Sequence, residues 1–210
     1  MWNEIAEAVI LGDSDRASRL IQQALASGAP PEEILEKGLI AGMNVVGQRF
    51  RDYEMFLPEV IQSAQAMQAG LNVLKPALAG ANAPTRGKVV IGTVQGDIHD
   101  IGKNLVCVFL EGAGFEVIDL GVDVPPERFV EAVKRESPRI VALSSLLTST
   151  MPAMRRTIQA LSEAGFRDRV RVLVGGAPVT QAYADAIGAD GYAPDAASGA
   201  AKAVQLASSL

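Results

Sequence analysis

The sequence predicts an α/β protein in two parts, with an N-terminal four-helix bundle followed by a domain built on a five-stranded parallel sheet. From residue 1 to about residue 80, apolar residues recur every three or four positions, as they do in amphipathic helices. Beyond that point, short apolar runs alternate with helical patterns, as they do in parallel sheets covered on both faces. We therefore expect a helical domain at residues 1–82 and a sheet domain at residues 87–210.

The helical part carries start and stop signals. Asp13 is placed to cap a helix that stops at Gly28. Pro30 and Pro31, followed by acidic residues, open another helix, and Pro58 lies near the first turn of a third. Short connections between such helices favour an antiparallel bundle. Residues 79–87 are small and contain proline, which predicts a linker.

Five strand–helix units follow the linker. The strand candidates are KVVIGTV, FEVIDLG, RIVALSSL, VRVLVGG and GYA. A helical pattern follows each of them, so the connections should be right-handed crossovers. We expect the strand order 2-1-3-4-5, which makes this a Rossmann-like (flavodoxin-like) domain.

Composition and charge disfavour several classes of function. The net charge of -5 and the pI of about 5.0 disfavour a nucleic-acid binder. No apolar run approaches the roughly 18 residues of a membrane helix, and the N-terminus lacks the basic region of a secretory signal. We therefore expect a cytoplasmic protein with no membrane partner. Cys107 is interpreted as a small apolar residue of a helix, and one cysteine with one histidine cannot build a His/Cys zinc site.

The candidate site lies where the strands end, because ligands of such sheets bind at the carboxyl edge. Four loops follow strands there: QGDIHD, SSLLTST, GGAP and APDAAS. Gly175 and Gly176 let the backbone approach a ligand closely, and Ser144, Thr148 and Thr150 supply hydroxyls. Each loop alone is more often structural than functional, so the prediction depends on the convergence of all four.

The loop GDIHDIG holds His99, the only histidine. It lacks the G-x-G-x-x-G spacing and carries two carboxylates, which argues against NAD. Asp97 is placed to accept one ring N–H of His99, which would leave the other nitrogen free for a metal. Because one protein ligand holds a metal poorly, we expect the metal to arrive in a cofactor that brings its own donors.

The motifs DIHDIG, SSL and GG, in this order, resemble the DxHxxG, SxL and GG triple of cobalamin-binding domains. The whole chain, including its helical half, is similar to the corrinoid proteins of methyltransferase systems and to the cobalamin module of methionine synthase. The resemblance implies a cobalamin or related cobamide whose nucleotide tail is withdrawn from cobalt. His99 would replace the tail as the metal ligand, and Asp97 would hold its imidazole. Thr150 would extend this relay where methionine synthase has a serine.

The resemblance also implies a set of cofactor contacts. Ser144 would contact the base of the nucleotide tail, and Thr148 would line the same region. Gly175 and Gly176 would leave space for the slot that holds the tail, so Gly176→Leu would fill this slot. The other matching positions in the sheet domain are Gly96, Ile98, Asp100, Gly102, Leu146 and Ala196. The resemblance implies that the helical domain caps the upper face of the corrin. Its matching positions are Phe50, Leu57 and Val60, with Glu36 at the corrin edge. The spacing of seven independently predicts that Glu36, Met43 and Phe50 share a helix face.

The function implied is that of a methyl carrier without catalytic residues of its own. It would accept a methyl group from a substrate-specific methyltransferase, acting on a methoxyarene, a methylamine or methanol. A second methyltransferase would pass the group to tetrahydrofolate or a thiol coenzyme, and a reductive activator would restore the cofactor.

Three alternatives stay open. A cobalamin-sensing regulator would bind DNA in a salt-dependent retention assay. A flavodoxin-like module without a corrin would stay colourless with hydroxocobalamin. A mutase with an adenosyl cofactor is disfavoured by the apolar cap.

Overall fold

The computed structural model describes residues 1–79 and 86–209. These residues form two compact units, one helical and one containing the sheet. Most of the predicted linker and the predicted boundary at residue 82 lie outside the described residues. No helix within the described ranges is long and apolar enough to cross a membrane.

The helical unit consists of successive helices joined by short turns. Their bounds are α1 Trp2–Ile10, α2 Ser14–Ala26, α3 Pro31–Glu33, a π-helical segment Ile34–Ile40, α4 Ala41–Arg51 and α5 Leu57–Ala79. Because α3, the π-helical segment and α4 are contiguous, the unit contains the four helical rods that the sequence predicts. The predicted cap is confirmed, since the Asp13 carboxylate accepts the backbone N–H of Arg16 at 2.9 Å.

The π-helical segment is the feature of this unit that the sequence pattern misses. A π-helix closes i→i+5 hydrogen bonds and shifts every later side chain around the axis relative to an α-helix. Glu36 lies inside this segment and is exposed, whereas Met43 in α4 is buried. The prediction that Glu36 and Met43 share one face of a regular helix is therefore wrong.

The second unit is a doubly wound sheet. Its elements are β1 Lys88–Thr93, α6 Ile101–Gly112, β2 Glu116–Asp119, α7 Pro126–Glu136, β3 Ile140–Ser144, α8 Pro152–Glu163, β4 Arg171–Gly175, α9 Gln181–Ile187, β5 Gly191–Ala193 and α10 Ala196–Ala207, with a 3₁₀ turn at Arg167–Arg169. All neighbouring strands are parallel and their order is β2-β1-β3-β4-β5. The predicted fold class and strand order are confirmed.

Apolar strands explain why the sheet is buried on both faces. Every residue of β1 after Lys88 is buried, and β3 and β4 are buried along most of their length. One face packs on α7, α8 and α9, with Phe129 and Met154 fully buried in that layer. Helix α10, whose buried residues are alanine and glycine, packs against β3, β4 and β5. Small side chains let this helix approach the sheet closely.

The register of the sheet places the strand ends in one row. Thr93 pairs with Ser144, Ser144 pairs with Gly175, and Gly175 pairs with Ala193. Four strands thus end at the same level, and the loops that follow them meet at one edge. Four of the five predicted strands end one or two residues beyond the observed ends, whereas GYA matches β5. The residues that follow these four strands carry no strong stop signal in the sequence.

Candidate functional site

The candidate site is built on the loop between β1 and α6, which presents His99 at the carboxyl edge of the sheet. His99 Nδ1 lies 2.7 Å from Asp97 Oδ1, and the backbone N–H of His99 donates to the same oxygen at 3.1 Å. Thr93 Oγ1 donates to the carbonyl of His99 at 2.8 Å. An ionised carboxylate can only accept, so Nδ1 carries a proton, and in the neutral ring this leaves the lone pair on Nε2. The imidazole side chain is 47% exposed.

Asp97 is the fixed partner of this pair because it is fully buried and its second oxygen is also bound. Oδ2 accepts the backbone N–H of Leu146 at 2.7 Å and that of Leu147 at 3.3 Å, both from the loop after β3. It also accepts the Thr150 hydroxyl at 2.9 Å. Burial alone would raise the pKa of Asp97, but hydrogen bonds from the His99 ring, the Leu146 amide, the His99 amide and Thr150 hold this pKa well below its usual range.

Two hydroxyls meet behind the carboxylate. Thr150 Oγ1 lies 2.7 Å from Ser145 Oγ, and Ser145 Oγ is 3.5 Å from Asp97 Oδ2. Both side chains also reach the carbonyl of Leu147, at 2.9 Å for Thr150 and 3.2 Å for Ser145. Thr150 is among the residues predicted from the sequence, whereas Ser145 is not. The serine lies one residue past the end of β3 and is fully buried.

The buried carboxylate makes the stability of the ligand-free protein dependent on pH. Because the folded-state pKa of Asp97 is depressed below about 4, its unfolded value, its contribution is present above that pH. This contribution is lost as the pH falls towards the folded-state value. We expect the free energy of unfolding to fall below about pH 4 more steeply in the wild type than in Asp97→Asn. Urea unfolding from pH 3 to pH 7 measures this difference, and parallel curves for the two proteins would contradict it.

The glycines at the carboxyl edge of the sheet differ in whether the backbone around them leaves room for a side chain. Gly176 has φ +128°, and a Cβ on it would lie 1.8 Å from the carbonyl oxygen of Ser145, so the chain itself requires this glycine. A Cβ on Gly175 would meet the carbonyl of Ala193 at 3.2 Å, whereas one on Gly102 would meet nothing within 4 Å. Gly176→Leu would therefore disturb the fold itself. It cannot serve as a specific test of the proposed slot for the nucleotide tail.

Four large apolar side chains near the carboxyl edge of the sheet are exposed instead of packing into the core. Ile98 is 74% exposed and Ile101 is 73% exposed, while Leu146 and Leu147 are 43% and 42% exposed. They come from the β1–α6 segment and from the loop after β3, both of which are tied to Asp97. A flat apolar molecule lying on His99 would cover part of this surface.

The remaining predicted contacts of the sheet unit differ in exposure. Gly96, Asp100 and Thr148 are exposed, Ser144 is partly buried at the end of β3, and Ala196 is buried in the first turn of α10. Those of the helical unit are Glu36, which is exposed, Phe50 and Leu57, which are partly buried, and Val60, which is fully buried. Their contact with a cofactor stays a prediction.

The donor set indicates how a metal could be held. Within residues 1–79 and 86–209, no group of three or more His, Cys, Asp or Glu side chains could hold a metal ion. Cys107 is partly buried, and burial raises the pKa of its thiol to about 12, which disfavours a thiolate ligand. A metal at His99 must therefore bring its other ligands with it.

Comparison with known families identifies the kind of protein that this fold and site define. Two family profiles, both described as a B12 binding domain, match residues 87–201 and residues 1–75. The protein therefore belongs to the class of cobalamin-binding proteins, and its cofactor is a cobalt corrinoid. Such a cofactor fits a site that offers one imidazole, because the corrin brings the other nitrogen ligands of the cobalt.

Individual relatives narrow the class. The chain is 47% identical over 207 residues to dimethylamine corrinoid protein 2 of Methanosarcina acetivorans, covering 98% of this chain and 95% of that protein. It is 47% identical over 192 residues to trimethylamine corrinoid protein 1 of the same organism, covering 90% and 89%. A chain of the methanol:cobalamin methyltransferase complex MtaBC from Methanosarcina barkeri superposes with a TM-score of 0.87 at 34% identity, covering 99% of this chain and 79% of that one. The chain belongs to the B12-binding family, as a corrinoid protein of methyltransferase systems.

Proposed function

We propose that the protein binds a cobamide with His99 Nε2 as the lower ligand of cobalt, and carries a methyl group between two methyltransferases. The observation that carries the proposal is the fixed imidazole. Asp97 holds Nδ1 at 2.7 Å, and the side chain is 47% exposed. Isoleucine and leucine side chains of the two loops tied to Asp97 are exposed as well. A cobalt that brings four corrin nitrogens needs one more protein donor, and the site offers one.

The corrinoid supplies the difficult chemistry when it is bound, since its cobalt takes up a methyl group as a nucleophile and releases it to an acceptor. The chain supplies position and proton control. His99 would hold the cobalt through the Nε2 lone pair, and Asp97 would keep the proton on Nδ1. The Thr150 hydroxyl, which donates to the second carboxylate oxygen, would help to keep the carboxylate in place.

The nucleotide tail has a candidate location beside α10. Gly199 of α10 lies beside β5 and α6, since a Cβ on it would be 3.7 Å from the Cβ of Ala193 and 3.9 Å from Cγ1 of Val106. Ser144, Thr148, Gly175 and Ala196 belong to the strand ends and loops at the same edge. We propose that the tail enters there, with the base near Ser144.

We propose methylamines as the methyl donors, because the two relatives at 47% identity are named for dimethylamine and trimethylamine. The first partner would be a methylamine-specific methyltransferase. The second would deliver the methyl group to tetrahydrofolate or a thiol coenzyme, and a reductive activator would rescue oxidised cofactor. We place this activity in the cytoplasm.

The test is reconstitution with a corrinoid, followed by exposure to methylamine-, methanol- and methoxyarene-specific methyltransferases with their substrates. We expect the absorption bands of the bound cofactor to change to those of the methylated form with a methylamine and its enzyme. The same mixture without the protein is the control. Failure to take up any corrinoid, or uptake without methylation by any of the three enzyme classes, would contradict the proposal.

A further inference from the structure

The loop that carries His99 is fastened to the loop after β2 by main-chain hydrogen bonds. The N–H of Thr93 donates to the carbonyl of Gly121 at 3.0 Å, and the N–H of Val124 donates to the carbonyl of Thr93 at 3.0 Å. Val94 and Val124 form an isolated parallel bridge beyond the ends of the two strands. The β1–β2 pairing therefore continues into the ligand edge of the sheet.

Asp123 adds two further bonds, one from its backbone and one from its side chain. Its N–H donates to the carbonyl of Asp97 at 2.9 Å, and its Oδ1 accepts the N–H of Gly96 at 2.7 Å. Gly96 and Asp97 are the residues from which the His99 segment turns. Asp123 thus binds the N–H of Gly96 and the carbonyl of Asp97, the two main-chain groups on either side of the peptide unit that joins these residues.

The backbone of Asp123 is in the left-handed region at φ +51°, and that of Gly96 has φ +88°. This conformation is unfavourable for a residue with a Cβ, and aspartate and asparagine tolerate it better than most. Such a conformation persists only where the surrounding contacts determine it, and such residues cluster at functional sites. Here the contacts are the two bonds to the His99 loop.

We propose that Asp123 is a positioning residue for the metal ligand, and that it acts through the backbone of Gly96 and Asp97. The bonds fix the main chain from which the Asp97 carboxylate and the His99 imidazole both extend. They thereby maintain the 2.7 Å contact between Asp97 Oδ1 and His99 Nδ1 that selects the tautomer. The inference rests on the proposed function, because it assigns Asp123 to the ligation that this function requires.

Three substitutions separate the side-chain bond from the backbone conformation. Asp123→Asn keeps an acceptor oxygen and tolerates positive φ, Asp123→Gly keeps the positive φ and loses the acceptor, and Asp123→Ala loses both. All three remove the same charge, so differences between them report geometry. We expect the asparagine variant to match the wild type. We expect the glycine and alanine variants to shift the bound corrinoid from the histidine-ligated towards the unligated form by about tenfold, the upper end of what one ordinary hydrogen bond contributes.

A second readout needs no cofactor. His99 is the only histidine, so ¹⁵N labelling of histidine gives one imidazole whose tautomer is read by NMR in the ligand-free protein. We expect a single Nδ1–H tautomer in the wild type and in Asp123→Asn, and exchange between tautomers in Asp123→Gly. If Asp123→Gly keeps the wild-type tautomer and spectrum, or if Asp123→Asn loses them, the assignment is overturned.

The corrinoid spectrum and the histidine tautomer together distinguish failure of the proposed function from failure of the positioning role. If the wild-type corrinoid shows no histidine ligation while the tautomer still depends on position 123, the proposed function fails and the positioning role survives. If ligation is seen in the wild type and is unaffected in the glycine and alanine variants, the positioning role fails alone. Circular dichroism melts confirm that each variant compared is folded.

Discussion

Replacing His99 with alanine is expected to abolish the histidine-ligated absorption spectrum of the bound corrinoid while the protein still takes up the cofactor. The ring is the single donor that the site offers, whereas uptake also draws on the exposed apolar surface formed by Ile98, Ile101, Leu146 and Leu147. Because the ring is 47% exposed, its removal leaves no large buried cavity, but it removes a hydrogen bond to the buried Asp97 carboxylate. We therefore expect the free energy of unfolding of the ligand-free protein to fall by about 1–3 kcal/mol.

Two controls make this result specific. Gln95→Ala removes an exposed side chain from the same loop and should leave the spectrum unchanged. Added imidazole should restore part of the ligated spectrum in His99→Ala, because it can occupy the space that the side chain left. A spectrum in His99→Ala that equals the wild-type spectrum without added imidazole would show that another group ligates the cobalt.

Gly176→Ala is expected to lower the free energy of unfolding by about 4 kcal/mol, a large effect for a single methyl group. Its Cβ would lie 1.8 Å from the carbonyl oxygen of Ser145, and the backbone at φ +128° is one that residues with a Cβ rarely adopt. Strain of this kind costs about 1–3 kcal/mol, and overpacking adds about 1–3 kcal/mol. Relief would require the Ser145 backbone to move, which would loosen the hydroxyl pair with Thr150.

Gly102→Ala is the matched control, since it adds the same methyl group to a second glycine of the same edge. Nothing lies within 4 Å of the added Cβ, and the position is in the first turn of α6. Alanine there should be neutral or stabilising by up to about 1 kcal/mol. Urea unfolding of both ligand-free variants measures the difference. Equal stability of Gly176→Ala and the wild type would mean that the carbonyl of Ser145 yields without cost.

The sequence predicts the fold and the centre of the site for identifiable reasons. The period of the apolar residues changes after the helical part, and five apolar runs with intervening helical patterns leave few parallel topologies open. The spacing from Asp97 to His99 allows a local hydrogen bond whatever the rest of the chain does. These features depend on residues close together in sequence, which a pattern can report.

Other features depend on contacts between distant segments, and no pattern carries them. The amides of Leu146 and Leu147 bind Asp97 through atoms that every residue other than proline possesses. The burial of the Ser145 hydroxyl against Thr150 depends on where β3 ends. The left-handed conformation of Asp123 follows from its bonds to the neighbouring loop. The π-helical segment at Ile34–Ile40 has the same apolar spacing as an ordinary helix.

The central claim is that the nitrogen bound to cobalt belongs to His99. It is tested most directly by electron paramagnetic resonance of the reconstituted protein in the Co(II) form, prepared once with natural-abundance histidine and once with ¹⁵N-histidine. Because the chain contains one histidine, the label marks one side chain. We predict that each cobalt line splits into three with ¹⁴N and into two with the labelled residue. A splitting that the label leaves unchanged would place a different nitrogen on the metal and contradict the account.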